Sequence, residues 1–474
     1  MQFRFIVKAC LLAASLTQAA PASTGSQEVS SSEHDVRATT SRLVFCHFMI
    51  GIVGDRTSAA DYDADMKRAK SLGIDAFALN IGVDPYTDTQ LGYAYESAAN
   101  NGMNVFISFD FNWYHASSDA AAVGQMIAKY GKLAAQLKVD NKVFASSFAG
   151  DGLDVAAMRS AAGVDVFWAP NFHPEQTSSP ANIDGALNWM AWDNNGNNKA
   201  PTAGANITVQ AGDDNYKKWL GSKPLIAPVS PWFSTHFGPE VSYSKNWVFP
   251  GDLLWYRRWN EILSTGPQFL EIITWNDYGE SHYIGPLSSK HWDDNSSKFV
   301  NDMPHDANND SGNYFMGRPN GYESMQDAVF IVSLLTSAGT VTVTSGKNSQ
   351  TFNAPAGAAA FQVPMAVGKQ TFSLSRNSKV VMSSTSLKDI SEICICGIYN
   401  FNAYVGTVPD GFSDPLGTDA IFGHSDWRRI NANNNRSRWQ FALHNDLKSI
   451  SRGHNDRRAV KHTEEHNIQG PDPD

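Results

Sequence analysis

One unit recurs eight times between residues 42 and 274: a short β-rich apolar run, then polar residues, then in most repeats a helical pattern. The runs lie at 44–48, 76–80, 105–110, 143–148, 166–171, 187–192, 225–229 and 270–275. Amphipathic helices are predicted at 61–72, 89–99, 120–137, 153–162 and 253–263. In the first of these Met66, Ala69 and Leu72 share one face and Gly73 is the stop. Strands that alternate with helices pair in parallel, because each crossover returns the chain to the same edge. Eight such units in this length predict a (β/α)8 barrel.

That architecture says where to look for chemistry, since such barrels build their sites at the C-terminal ends of the strands. Reading those ends gives His47, Asn80, Asp110 with Asn112 and Trp113, Asp151, Asn171 with His173, Trp192 with Asp193, and Trp232. The eighth run continues as Trp275-Asn276-Asp277-Tyr278-Gly279-Glu280-Ser281-His282-Tyr283. Cleaving a glycosidic bond needs a proton donor, a second carboxylate and flat apolar faces for sugar rings. This rim offers all three, with Asp277 and Glu280 as the candidate acids. Other readings stand beside that one. His47 lies inside its strand and is equally a core histidine. Asp110 and Asp151 are read as substrate contacts or positioning groups in preference to caps of the following helices. Of Trp113, Trp192 and Trp232, at least one is read as packing.

With 474 residues and a formal charge of -10, the chain lacks the basic footprint of a nucleic-acid binder. Arg4 and Lys8 precede an apolar stretch at 9–16 and small residues at 19–20, which reads as a secretory signal peptide over 1–20. A Ser/Thr-rich leader follows at 21–41, and no later stretch is long and apolar enough to span a bilayer. Without Cys10 the thiols number three, and Cys46 is read as a small buried hydrophobe. No zinc spacing, calcium loop, nucleophile elbow or phosphate loop is present, so no metal and no cofactor are assigned.

Residues 73–82, 108–113, 147–152 and 275–283 closely resemble glycoside hydrolase family 71, the fungal endo-α-1,3-glucanases or mutanases. The resemblance runs over about residues 42–305 and resumes at about 316–415. It implies a barrel followed by a smaller β-sandwich domain, and hydrolysis of α-1,3-glucan with inversion, with Asp277 and Glu280 as the catalytic pair. An inverting pair should stand about 6.5–9.5 Å apart. Both acids can face one pocket only if Gly279 turns the chain. Glu280 is taken as general acid and Asp277 as general base, with the reverse nearly as well supported. Trp275, Tyr278 and Tyr283 would shape sugar subsites, and Asn276 and His282 would orient the acids or bind hydroxyls.

The chain departs from the family after His305, where a helix covering the eighth strand is missing. Its loss would expose apolar barrel surface, and it would also have carried a partner for Cys394 or Cys396. Short strands at 328–336, 340–344, 361–364 and 369–374 form the β-rich part, which binds glucan or buttresses the barrel. Residues 416–474 read as a polar, disordered tail. The resulting expectation is a secreted, monomeric, endo-acting α-1,3-glucanase. Its rivals are a non-catalytic glucan-binding wall protein and a barrel glycosidase of another glucan linkage.

Overall fold

A computed structural model describes residues 42–195, 201, 206–237, 245–286, 305–306, 319–386, 389–392, 398–399 and 405–408. The signal peptide, the leader, Cys394, Cys396 and the tail expected at 416–474 lie outside the described residues.

Eight parallel strands form the framework. They are β1 (Leu43–Met49), β2 (Ala76–Ile81), β3 (Asn104–Asp110), β5 (Lys142–Phe148), β6 (Val166–Trp168), β7 (Ala186–Leu187), β8 (Leu225–Val229) and β11 (Phe269–Ile272). Their spatial order is β6-β5-β3-β2-β1-β11-β8-β7, with the two-residue β4 (Lys138–Val139) antiparallel on β5. The sheet is curled, and two hydrogen bonds run between the segments that carry β6 and β7. The Asp184 amide donates to the Trp168 carbonyl at 2.8 Å, and the Leu187 amide donates to the Pro170 carbonyl at 2.9 Å.

Alternation along the strands sorts the side chains. On β1, Phe45 and His47 point inward, while Cys46 and Phe48 join the cluster beneath the helices. Phe45, Phe106, Phe144, Phe167 and Phe269 fill the lower interior in edge-on and stacked pairs, for which Ala76 and Ala78 leave room. Cys46 is a fully buried free thiol, as expected.

Helices α1 (Asp63–Leu72), α2 (Thr87–Asn101), α3 (Ala120–Tyr130), α4 (Val155–Ala162), α5 (Val209–Leu220) and α6 (Leu254–Thr265) pack outside. Helix α3 stops seven residues short of its expected end at 137. A Cβ on Gly131 would stand 2.7 Å from the Ile127 carbonyl and 2.9 Å from Val143, so the chain passes too close to β5 for a side chain. Helix α5 and the antiparallel hairpin of β9 (Phe233–Phe237) and β10 (Lys245–Phe249) were not foreseen. Asp213 of α5 pairs with Arg258 of α6, both buried, and accepts from Asn188 at 2.8 Å.

The exposed apolar face expected beside the eighth strand is not found among the described residues. Leu270 and Ile272 on the outside of β11 are buried in one cluster with Tyr62, Met66, Trp259, Ile262 and Trp275. Segments 287–304 and 307–318, where a further helix would belong, lie outside the described residues.

After β11, the two-residue β12 (His305–Asp306) pairs with β19 (Ile398–Tyr399). Further along the chain, β13 (Ala328–Leu335) pairs with β16 (Gly357–Pro364). The strands β14 (Gly339–Ser345), β15 (Asn348–Ala354), β17 (Gln370–Arg376) and β18 (Lys379–Thr385) form a four-stranded antiparallel sheet. Val341, Val343, Val363 and Leu374 join the two sheets in one apolar cluster. This part touches the framework where Asn320 bridges β10 and where the Tyr256 hydroxyl donates to the Ala358 carbonyl at 3.4 Å.

Candidate active site

The chain leaves β11 at the rim and folds back on itself through hydrogen bonds within the loop. Thr274 Oγ1 accepts the Asp277 amide at 2.9 Å, and Asp277 Oδ1 accepts the Glu280 amide at 3.1 Å. A short polar side chain that caps a downstream amide in this way makes a tight turn. The turn brings the two carboxyls to the same side. The left-handed residue is Ser281, at φ 63°, and not Gly279 as expected. Its hydroxyl donates to the Ser234 carbonyl at 2.7 Å, which ties the turn to β9.

His282 stands between the acids. Its Nε2 lies 2.8 Å from Glu280 Oε2 and 3.7 Å from Asp277 Oδ2, and the facing atoms of the three groups all fall within 4.8 Å of one another. Lys245, from β10, forms an ion pair with Glu280 Oε1. The carboxyls are 13% and 17% exposed, open enough for substrate yet largely withdrawn from water. Burial raises the Asp277 carboxyl, and the negative charge of Glu280 adds to this against the opposing pull of His282 and Lys245. Burial would raise Glu280 too, but Lys245 and His282 outweigh it and bring it down to about 2. The surroundings thus favour the protonated form of Asp277 and the charged form of Glu280, opposite in direction to the assignment preferred from sequence.

Asp110, at the end of β3, faces the same space. Burial raises its carboxyl despite the Asn112 amide at 2.9 Å, His47 and the Asn80 side chain, and it feels the charge of Glu280. One layer lower, His47 Nδ1 meets Glu271 Oε1 at 2.7 Å, both side chains fully buried, with the Trp189 ring edge-on above His47 at 4.8 Å.

The sequence profile of glycosyl hydrolase family 71 matches residues 40–317 and 308–417. This chain belongs to glycosyl hydrolase family 71. Among its relatives, a mutanase of Penicillium rubens is 37% identical over 84% of this chain and 95% of its own length. A glucan endo-1,3-alpha-glucosidase of Schizosaccharomyces pombe is 31% identical over 77% of this chain and 95% of its own. An ascus wall endo-1,3-alpha-glucanase of the same yeast is 24% identical over 77% and 97%.

In this family 71 glycoside hydrolase the remaining expected site residues divide. Asp277, Glu280, His282, Asp110, Asn80 and, beneath them, His47 converge. Trp113 stands on the rim, 53% exposed, with Asn112 exposed beside it. Trp232 is half-buried, and its indole N–H donates to the Ser281 carbonyl at 2.5 Å. Tyr283 is half-buried and packs edge-on against Tyr278.

The others are structural. Trp275 turns outward, fully buried, with its N–H on Asp65 at 2.9 Å and its ring against Phe77, so it forms no sugar platform. Tyr278 is buried, its hydroxyl donating to the Pro286 carbonyl at 2.8 Å. Trp192 packs behind His282 and donates to the Trp232 carbonyl at 2.9 Å. Asn276 pairs with both backbone groups of Met49 and pins the loop to β1. Asn171 donates to the Leu187 carbonyl at 3.0 Å and the Tyr216 hydroxyl at 3.2 Å. Asp151 accepts from the His173 ring at 2.6 Å and from Thr177, which hold its carboxyl low despite burial.

Asp277, Glu280 and His282 are close enough to share a cation. The Lys245 ammonium already supplies the positive charge on Glu280, and a divalent ion beside it would meet repulsion. Sequence reasoning missed Lys245, Glu271, Trp189 and Phe233. The first and last ride on the unforeseen hairpin. Glu271 stood in view as an acid inside an apolar run, and its partner lies 224 residues away.

Proposed function

We propose that this chain is an endo-acting α-1,3-glucanase, secreted and monomeric, that cleaves its polymer with water and no cofactor. The relatives' substrates support the glucan, and the paired carboxyls with opposite electrostatics carry the reaction. Asp277 protonates the leaving oxygen. Glu280 stays ionised and, in the inverting course implied by the resemblance, removes a proton from the attacking water. Retention, in which the second carboxylate attacks directly, is the second reading, because facing oxygens of the two acids lie within 4.8 Å of one another.

Two further readings belong to this proposal. The curled sheet is a closed (β/α)8 barrel over 42–305, which the hydrogen bonds between the β6 and β7 segments support. The later strands form a β-sandwich domain over 316–415, supported by their shared apolar cluster. Secretion rests on the apolar stretch at 9–16, and amino-terminal sequencing of exported protein tests it.

The deciding experiment is sugar release from insoluble α-1,3-glucan by the protein beside D277N and E280Q variants. The parent should release oligosaccharides, and each variant should lose about 100–10,000-fold, the range for general acid–base groups. Full activity in either variant removes that residue from the mechanism. NMR of the first anomer formed separates inversion from retention.

A further inference from the structure

Four charged or titratable groups face Glu280: Lys245 from β10, His282 and Asp277 from its own loop, and Asp110 from β3. Among these only Lys245 carries a fixed positive charge. We propose that Lys245 is a positioning residue for hydrolysis, delivered by the β9–β10 hairpin to hold Glu280 ionised and in place. The proposal rests on the reading of Glu280 as the ionised partner.

The hairpin is built for the task. On one edge the Ser234 amide donates to the Glu280 carbonyl at 3.2 Å, and Thr235 Oγ1 donates to the Gly279 carbonyl at 2.9 Å. The Ser281 hydroxyl and the Trp232 indole add two more bonds between the hairpin segment and the catalytic turn. On the other edge the Asn320 amide donates to the Asn246 carbonyl and the Val248 amide to the Asn320 carbonyl, both at 2.9 Å. The hairpin carrying Lys245 is thus clamped between the catalytic turn, on its β9 edge, and the segment that leads into the later β-sheets, on its β10 edge. Its ammonium lies 5.9 Å from the Phe233 ring centroid and 5.6 Å from that of Trp247, within cation–π range. Its ion pair is with Glu280, and it acts on the reaction by holding that carboxylate, which makes it a positioning residue.

The test compares K245M and K245R with the parent in the pH profile of kcat/KM on α-1,3-glucan oligosaccharides. Loss of the ammonium removes what keeps Glu280 low, so in K245M the acid limb should move up by about 1–3 pH units, the effect of one close opposite charge. The alkaline limb, set by Asp277, should rise less. K245R should restore most of the parental profile. Thermal denaturation of K245M, E280Q and the double variant reads the same pair without turnover, and their Tm changes should be non-additive. An unmoved acid limb or additive Tm changes overturn the proposal. If the parent cleaves no α-1,3-glucan, the substrate reading fails alone, and the thermal cycle still decides for or against the Lys245–Glu280 coupling.

Discussion

Asp277 and Glu280 share one turn, and their surroundings push them in opposite directions. Lys245 and the His282 Nε2, 2.8 Å away, favour the charged form of Glu280, whereas at Asp277 burial and the negative neighbour outweigh the same two groups. An acid whose pKa is raised loses its proton, and its function, as pH rises through that raised value. A carboxylate brought down to about 2 fails only as pH falls toward that value. The optimum should therefore be acidic, with a steep fall on the alkaline side, and initial rates from pH 2 to 8 check this. A fall in rate that already begins between neutrality and pH 5 on the acid side, well above the value of about 2 for Glu280, would overturn this assignment. The His47–Glu271 pair makes a second prediction. Replacing Glu271 by Ala leaves His47 Nδ1 buried without its partner and should cost at least about 2 kcal/mol. Glu271→Gln should recover most of it in the same denaturant titration.

Hydrophobic alternation made most of the eight framework strands and five of the six helices legible, because each is a local pattern of fixed period. The failures share a cause. Helix α5 carries a buried ion partner, Asp213, on its inner face, so its pattern reads as polar until Arg258 is placed against it. The β9–β10 strands, Phe-Ser-Thr-His-Phe and Lys-Asn-Trp-Val-Phe, mix polar residues with aromatics without a clean period of two, because the hairpin serves a polar site. Trp275 shows the limit of reading a strand end as a site. One residue beyond the strand decides whether a ring faces the pocket or the helices, and here it faces α1. Trp275→Ala should cost about 3–5 kcal/mol through the cavity it leaves. Substrate affinity should hold, which unfolding curves and KM together measure; a large KM rise with little loss of stability would restore it to a subsite.

Among the described residues, one of the contacts between the later β-sheets and the catalytic framework is titratable. Burial raises Asp252, just after β10, to about 6, although backbone and side-chain groups of Gln326 hydrogen-bond to it; among the described residues its buried Oδ1 has no partner. Its pKa in the folded chain lies above the unfolded value of about 3.9. The stability it contributes is thus present in acid and lost as pH rises from about 4 through about 6. Asp252→Asn should raise the Tm at pH 7, by no more than about 3 kcal/mol in stability, and leave it unchanged at pH 4. Equal shifts at both pH values would show that charge is not the cause. The sequence alone determined the parallel α/β framework, the family, and the segment holding the two acids, since periodicity and contiguous motifs survive without coordinates. Tertiary structure decided how the surroundings of the two acids differ, which aromatics are buried away from the rim, and that Lys245 stands beside Glu280. Those properties depend on burial and on charges brought close from distant parts of the chain.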